Sequence, residues 1–227
     1  EIEKLLKTDD GIVAILLEPI QGEGGIQIPD QDYLSRLRLI CDKNKLLLMI
    51  DEVQSGFCRT GKWFAYQHSA IIPDVVTVAK ALGNGVPIGA CLTNKQASSV
   101  LTPGSHGSTF GGNFLSTTVG IKVLDIMRDK NICSNARSMG LYIEQKLKDK
   151  LKNLDVVKDI RCKGLMIGIE LNKNCLDLVE EALKNKLVIN VTKENTIRLL
   201  PPLIVNKSEI DIIVEVLYKI INEIEYE

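Results

Sequence analysis

Aromatic residues are scarce in this chain, 4% of 227 residues, but a hydrophobic fraction of 45% is still ample for a buried core. Neither sign of charge is in excess: 28 basic and 29 acidic residues leave a formal net charge of -1. That balance removes the electrostatic case for a nucleic-acid or acidic-membrane partner and makes a small molecule the default ligand. Long apolar runs are missing. The longest, Ile12 to Leu17 and Leu46 to Ile50, fall far short of the roughly 20 residues that a membrane-spanning helix needs. The six cysteines, Cys41, Cys58, Cys91, Cys133, Cys162 and Cys175, include no CxxC pair and no spacing that points to a disulfide framework or a zinc site. A reducing cytoplasm is the expected compartment. Glu1 to Lys7 has neither a basic leader nor an apolar core, and the sequence does not open on methionine, so it reads as a piece of something longer.

What is present is an alternation of short apolar runs with helix-period segments, the pattern of a mostly parallel sheet covered by helices. Ile12 to Leu17 is expected to be a buried strand followed by a glycine-rich loop, Gln21 to Gly25, and then a helix through Leu34, Leu37 and Cys41, capped at Asp30. Leu46 to Ile50 is the next strand and runs directly into Asp51; Val75 to Ala79 repeats the arrangement and delivers Lys80. The carboxyl ends of strands are where open α/β sheets place their ligand chemistry. Beyond Leu115 the texture becomes helical, with an apolar stripe at Ile132, Ala136, Met139, Ile143, Leu147 and Leu151. Leu165 to Leu171, Leu187 to Val191 and Ile197 to Leu200 read as short strands, with a helix around Leu176 to Leu183. A final helix carries Ile210, Ile213, Val214, Leu217, Ile220, Ile221 and Ile224 on one face, opened by a capping box of Ser208 and Asp211. Two domains are expected, 1–128 and 129–227.

Three stretches carry chemistry. Asp51, in Asp51-Glu52-Val53-Gln54, is a strand-end carboxylate, a position more often filled by a helix cap or loop anchor than by a catalytic group. Lys80 lies between an apolar strand and a glycine-rich turn, where desolvation would favour the neutral, nucleophilic amine. The run from Pro103 to Asn113 combines mobile-backbone glycines with the hydroxyls of Ser108 and Thr109, as a phosphate site requires, and His106 within it is either catalytic or a locally bonded loop residue. A lysine for an aldehyde, an acid for a pyridine nitrogen and donors for a phosphate together suggest pyridoxal phosphate.

With these stretches, Glu18-Pro19-Ile20-Gln21-Gly22-Glu23-Gly24-Gly25 and Ile197-Arg198-Leu199-Leu200-Pro201-Pro202, the chain resembles the class III aminotransferases of fold type I over essentially its whole length. The resemblance implies an incomplete large α/β domain carrying the cofactor and a small carboxyl-terminal α+β domain. It implies that Lys80 holds the cofactor covalently and moves a proton, and that Asp51 keeps the pyridine nitrogen protonated. Glu52, Val53 and Gln54 would complete the ring's surroundings, and Thr109 would reach the phosphate of a neighbouring subunit, which makes a homodimer. Ser108 would lie beside substrate. Arg198 would grip a substrate carboxylate, with Glu23 pairing with it for the amino substrate and releasing it for 2-oxoglutarate. Glu18 is either close to substrate or a structural strand-end acid.

Gly61 to His68, Pro103 to Asn113 and the segment from Leu187 to Pro202 are most similar to family members that transfer the amino group of N-acetylornithine to 2-oxoglutarate in arginine synthesis. Members acting on ornithine or another ω-amino acid share most of these motifs, and a truncated non-catalytic remnant is the reading from a different class. Two departures stand out: Phe114 where the family usually has proline, and Cys58 where it usually has glycine, each expected to strain its segment.

Overall fold

The computed structural model describes residues 1–225. It divides into two compact units, and a single cut does not separate them. The first consists of Glu1–Pro19, Pro29–Phe57 and Phe64–Arg128; the second takes the two intervening segments, Ile20–Ile28 and Cys58–Trp63, together with the chain from Asp129 onward.

The first unit holds α1 (Ile2–Leu5), β1 (Ala14–Leu17), α2 (Tyr33–Asn44), β2 (Leu47–Asp51), β3 (Val75–Val78), β4 (Ala90–Thr93), α3 (Lys95–Ser98) and α4 (Phe114–Asp129). Its sheet has the order β1-β2-β3-β4, with the first three strands parallel and β4 antiparallel to β3. Leu48 and Ile50 of β2 are fully buried against Leu34, Leu37 and Cys41 of α2. Alternate residues point the other way, and Leu16 of β1 is 67% exposed. Asp74 ties the unit together: its carboxylate accepts from the Leu48 backbone N–H at 2.7 Å, from Arg38 of α2 at 2.7 Å and from Asn94 at 2.6 Å.

The second unit holds α5 (Ile132–Leu151), β5 (Val157–Lys163), β6 (Met166–Leu171), α6 (Leu178–Lys184), β7 (Asn190–Thr192), β8 (Thr196–Leu199) and α7 (Lys207–Glu225). Its sheet, ordered β5-β6-β8-β7, is antiparallel throughout. The stripe of α5 (Ala136, Ile143, Leu147, Leu151) and that of α7 (Ile210, Val214, Leu217, Ile220, Ile221) close over Leu165, Ile167, Ile169 and Ile197 in one core.

Several expectations are corrected. Helix α2 starts after Asp32, and Asp30 contributes only its backbone carbonyl, to Tyr33 N–H at 3.0 Å. The capping box of α7 lies two residues earlier than expected: Asn206 Oδ1 accepts from Glu209 N–H at 3.1 Å and Glu209 Oε2 accepts from Asn206 N–H at 2.9 Å. Asp211 is instead engaged by the Tyr142 hydroxyl at 2.9 Å and by Lys146 at 3.2 Å. Cys58 and Cys133 form a disulfide across 75 residues of sequence, a pairing that spacing could not reveal because it depends on which distant segments meet. Strands β4 and β5 were not anticipated, since β4 is short and exposed and β5 mixes charged with apolar residues.

Candidate functional site

In the first unit, β2 and β3 run side by side in the same direction, with Asp51 opposite Thr77 in register. Asp51 is thereby placed at the carboxyl end of β2 and Lys80 two residues past the end of β3, both on the carboxyl-end side of the two inner strands of the sheet. Asp51 Oδ1 accepts the Val53 N–H at 2.9 Å, which turns the chain out of the sheet and leaves the second carboxylate oxygen to accept from a ligand. Val53 and Gln54 are half-buried on this turn.

Lys80 opens a short 3-10 turn, Lys80–Leu82, with φ of 38°, a backbone state that non-glycine residues rarely adopt. Its carbonyl accepts from Gly83 and Asn84, both at 3.1 Å. Gly83 has no alternative, because a Cβ there would lie 2.0 Å from the Val86 carbonyl oxygen. The Lys80 side chain is exposed, so the desolvation expected from the sequence is not supplied by its own strand and turn.

Glu52 is corrected. Although it sits within the candidate run, it is fully buried, its Oε2 accepting from Ser55 Oγ at 2.6 Å and its Oε1 from the Tyr66 N–H at 2.9 Å. Burial pushes its carboxyl above the ordinary 4.5, outweighing the hydrogen bonds from Ser55, Tyr66 and Ala65 that oppose the shift. With both oxygens engaged by the protein, it braces the loop after β2 from inside.

Ser108 and Thr109 lie on an exposed loop, where Ser108 Oγ accepts the Gly111 N–H at 3.0 Å and His106 is also exposed. No hydrogen bond joins Ser108 or Thr109 to Asp51 or Lys80 among the described residues. Sequence reasoning missed the anchor of this loop. Asn113 Oδ1 caps α4 at the Ser116 N–H (3.0 Å), and the buried Ser116 hydroxyl donates to the Pro87 carbonyl at 3.1 Å. Asparagine three residues ahead of serine at the start of a periodic run was the available signal. The strain expected at Phe114 is absent, since its ring is 92% exposed at the first position of α4. Cys58, by contrast, has φ of 67°.

In the second unit, the structure brings Arg198 and Glu23 together across 175 residues, Nη1 to Oε1 at 2.6 Å, with the Arg198 side chain 11% exposed and Glu23 75% exposed. Arg198 sits on β8 opposite Asn190 of β7, whose Oδ1 accepts from Nη2 at 2.8 Å. Two residues unremarked in the sequence hold the Glu23 segment beside β6. Arg161 donates to the carbonyls of Gly25 (2.8 Å) and Ile26 (3.1 Å) while paired with Glu170 at 2.6 Å. Gly168 is the other: a Cβ there would stand 2.9 Å from Ile26 Cβ. Glu18 is half-buried just past the end of β1. Such a guanidinium, little exposed yet bonded to an exposed carboxylate, can exchange that partner for a ligand's carboxylate.

Comparison with known proteins places the chain in a family. Residues 1–221 match the family model "Aminotransferase class-III". The acetylornithine aminotransferase of Nitrosomonas europaea is 48% identical over 213 residues, 94% of this chain and 54% of that protein. That of Methanothermobacter thermautotrophicus is 44% identical over 95% of this chain and 55% of its own length. Among solved structures, the ornithine aminotransferase of Toxoplasma gondii ME49 superposes with a TM-score of 0.94 at 33% identity, over 99% of this chain and 54% of that one. Acetylornithine aminotransferase from Elizabethkingia anophelis gives 0.92 at 34% identity, over 98% and 60%. The chain spans about half the length of the curated relatives it matches. Among the described residues no helix is long and apolar enough to cross a membrane. With a match that runs through both units and over most of its residues, the chain belongs to the class-III aminotransferase family.

Proposed function

We propose that this chain forms part of a pyridoxal-phosphate-dependent aminotransferase that moves the amino group of N-acetylornithine to 2-oxoglutarate, releasing N-acetylglutamate semialdehyde and glutamate. The observation that carries the reading is the placement of Asp51 and Lys80 at the ends of adjacent parallel strands in a member of this family. The donor set suits the cofactor: a primary amine, a carboxylate with one oxygen uncommitted, and the half-buried Val53 and Gln54 beside it. Pyridoxal phosphate, when bound, supplies an aldehyde for the amine and a ring that accepts the electron pair left when Cα loses its proton.

The chain's own residues do the rest. Asp51 holds a proton at the ring nitrogen, because a carboxylate there favours the protonated form. Lys80, with its amine freed by the incoming amino substrate, would take the proton from the substrate Cα and deliver it across the shared nitrogen to the carbon that had been the aldehyde carbon of the cofactor. Arg198 fixes a substrate carboxylate through its planar fork; Glu23 occupies the guanidinium while the amino substrate reacts and swings away when the dicarboxylate enters. Asn190 keeps the guanidinium aligned throughout. The first unit serves as part of the cofactor-binding domain and the second as the small domain, in a cytoplasmic homodimer whose exposed Ser108-Thr109 loop reaches the partner's site. The free ornithine reading is kept beside this one, because ornithine aminotransferases are among the similar solved structures.

The test is the visible absorbance of the purified chain mixed with pyridoxal phosphate, against Lys80→Ala. A Lys80-dependent band that falls on adding glutamate supports the proposal, and the rates of its loss with acetylornithine and ornithine distinguish the substrates. Equal spectra for the chain and its Lys80→Ala variant refute it for this chain.

A further inference from the structure

The disulfide has no part in transamination, and its surroundings point to a use of its own. Cys58 is fully buried, and Cys133, the second residue of α5, is part-exposed. Their Cα atoms are 4.5 Å apart. That closeness does not rest on the sulfur bond, because three glycines let the backbones meet here. A Cβ on Gly61 would stand 3.2 Å from Arg137 Cα, one on Gly164 would stand 2.5 Å from the Thr60 carbonyl carbon, and one on Gly140 would stand 2.4 Å from the Gly164 oxygen. Arg59 adds bonds to the carbonyls of Leu165 (3.1 Å) and Pro201 (2.6 Å), and its own carbonyl accepts from Leu165 N–H at 2.9 Å. With the sulfurs reduced, the two thiols therefore stay side by side, at high effective concentration for closing again.

Three of the four remaining cysteines are poor participants. Burial pushes the thiol of Cys162 up to about 12 and that of Cys175 up to about 11, and raises Cys41 as well, so none of the three offers a thiolate at neutral pH. Cys91 is exposed and free.

We propose that Cys58 and Cys133 are a reversible redox modification site, opened by thiols and closed by disulfides of the glutathione class. Opening begins when an external thiolate attacks the part-exposed Cys133 sulfur. The protein S–S bond breaks, its electron pair leaves on Cys58, and Cys58 takes a proton from water. A second external thiolate attacks the outer sulfur of the mixed disulfide and expels the Cys133 thiolate, a leaving group stabilised by the amino end of the 20-residue α5. Two external thiols become one disulfide, and two electrons and two protons reach the protein. Closing is the reverse. In a reducing compartment a pair of this kind is a sensor rather than a permanent staple, and what it fastens is the Cys58–Trp63 segment to the second unit.

The test incubates the full chain in mixtures of reduced and oxidised glutathione, quenches in acid, alkylates under denaturing conditions and counts label on each cysteine by mass spectrometry. The expected result is that labels on Cys58 and Cys133 rise and fall together, reversibly, with the square of the reduced glutathione concentration over the oxidised, while Cys91 takes label in the reducing mixtures independently of them. In the oxidising mixtures a cross-linked peptide containing both residues is expected, and Cys58→Ser should leave Cys133 carrying glutathione. Label on Cys58 in the most oxidising mixture, or loss and gain of the two labels at different ratios, overturns the proposal without any variant having to fold. The outcome is independent of cofactor binding, so it separates cleanly from the aminotransferase reading.

Discussion

Replacing Asp74 should weaken the first unit more than any single surface change, and the structure sets the scale. Its carboxylate accepts three hydrogen bonds, from Leu48 N–H, Arg38 and Asn94. In Asp74→Ala the buried Leu48 N–H loses its acceptor, which costs about 1–3 kcal/mol. Arg38, whose side chain is 16% exposed, keeps Asp42, itself 62% exposed, as its ion-pair partner and a long 3.5 Å bond to the Ile72 carbonyl. Removing one partner of a buried ion pair costs roughly 3–5 kcal/mol, and discounting for the exposure left at Arg38 puts the whole change at about 3–4 kcal/mol. Urea unfolding with an unchanged slope should show the loss as a lower midpoint. The pH dependence tests the cause. Burial alone would raise the Asp74 carboxyl, but the Leu48 N–H and the Arg38 guanidinium outweigh it and hold the group below its ordinary 3.8. Its contribution is therefore present above that value and lost as pH falls through the lower folded value. Asp74→Asn should differ most from the parent near neutral pH and converge with it in acid. A loss below about 1 kcal/mol in Asp74→Ala, or a gap that persists unchanged into acid, refutes the reasoning.

Two further outcomes are expected. Glu52→Gln should flatten the pH dependence of stability, with the sign opposite to that at Asp74. The buried carboxyl titrates above its ordinary value, so its contribution is full below about 4.5 and is lost as pH rises through the folded value; the variant gains on the parent over that window in denaturant titrations at stepped pH. Gly164→Ala should lower the unfolding midpoint far more than Gly104→Ala. Both have positive φ, but a Cβ at Gly164 meets the Thr60 backbone at 2.5 Å and one at Gly104 meets nothing within 4 Å. The expected costs are about 2–4 against about 1–2 kcal/mol, and equal losses would show that the close approach carries no weight.

The parts of the fold legible in the sequence are those where one face is continuously buried. Leu46 to Ile50 and the α7 stripe were placed within a residue or two, because burial against a neighbouring element imposes a period. β5 was missed because Val157–Lys163 is a mixed strand in which charged residues are held by partners instead of alternating with apolar ones, Arg161 by Asp159 and Glu170. Cap positions slipped by two residues because side chains such as Asn206 and Ser208 compete for the same turn, and only geometry decides between them. Of the candidate site, the motif residues Asp51, Lys80, Glu23 and Arg198 could be named in advance. Arg161, Asn190 and Gly168 could not, because what each does depends on a segment that is distant in sequence.

The interleaving of the two units has a consequence for how this chain can be made and cut. A fragment starting at Asp129 would contain both long helices and the whole antiparallel sheet, yet it would leave Arg161 without the carbonyls of Gly25 and Ile26 and Arg198 without Glu23. Arg198 would therefore be present with Asn190 as its remaining named side-chain partner. In folding, the contacts that finish this unit span 106 to 175 residues, so each closes a long loop at an entropic cost that local hairpins and helices do not carry. During synthesis, the Glu23 segment emerges long before its partner strand and must wait without it. Shuffling this sequence at the Arg128–Asp129 junction would respect the obvious boundary and still exchange the segment that Arg161 and Arg198 bind.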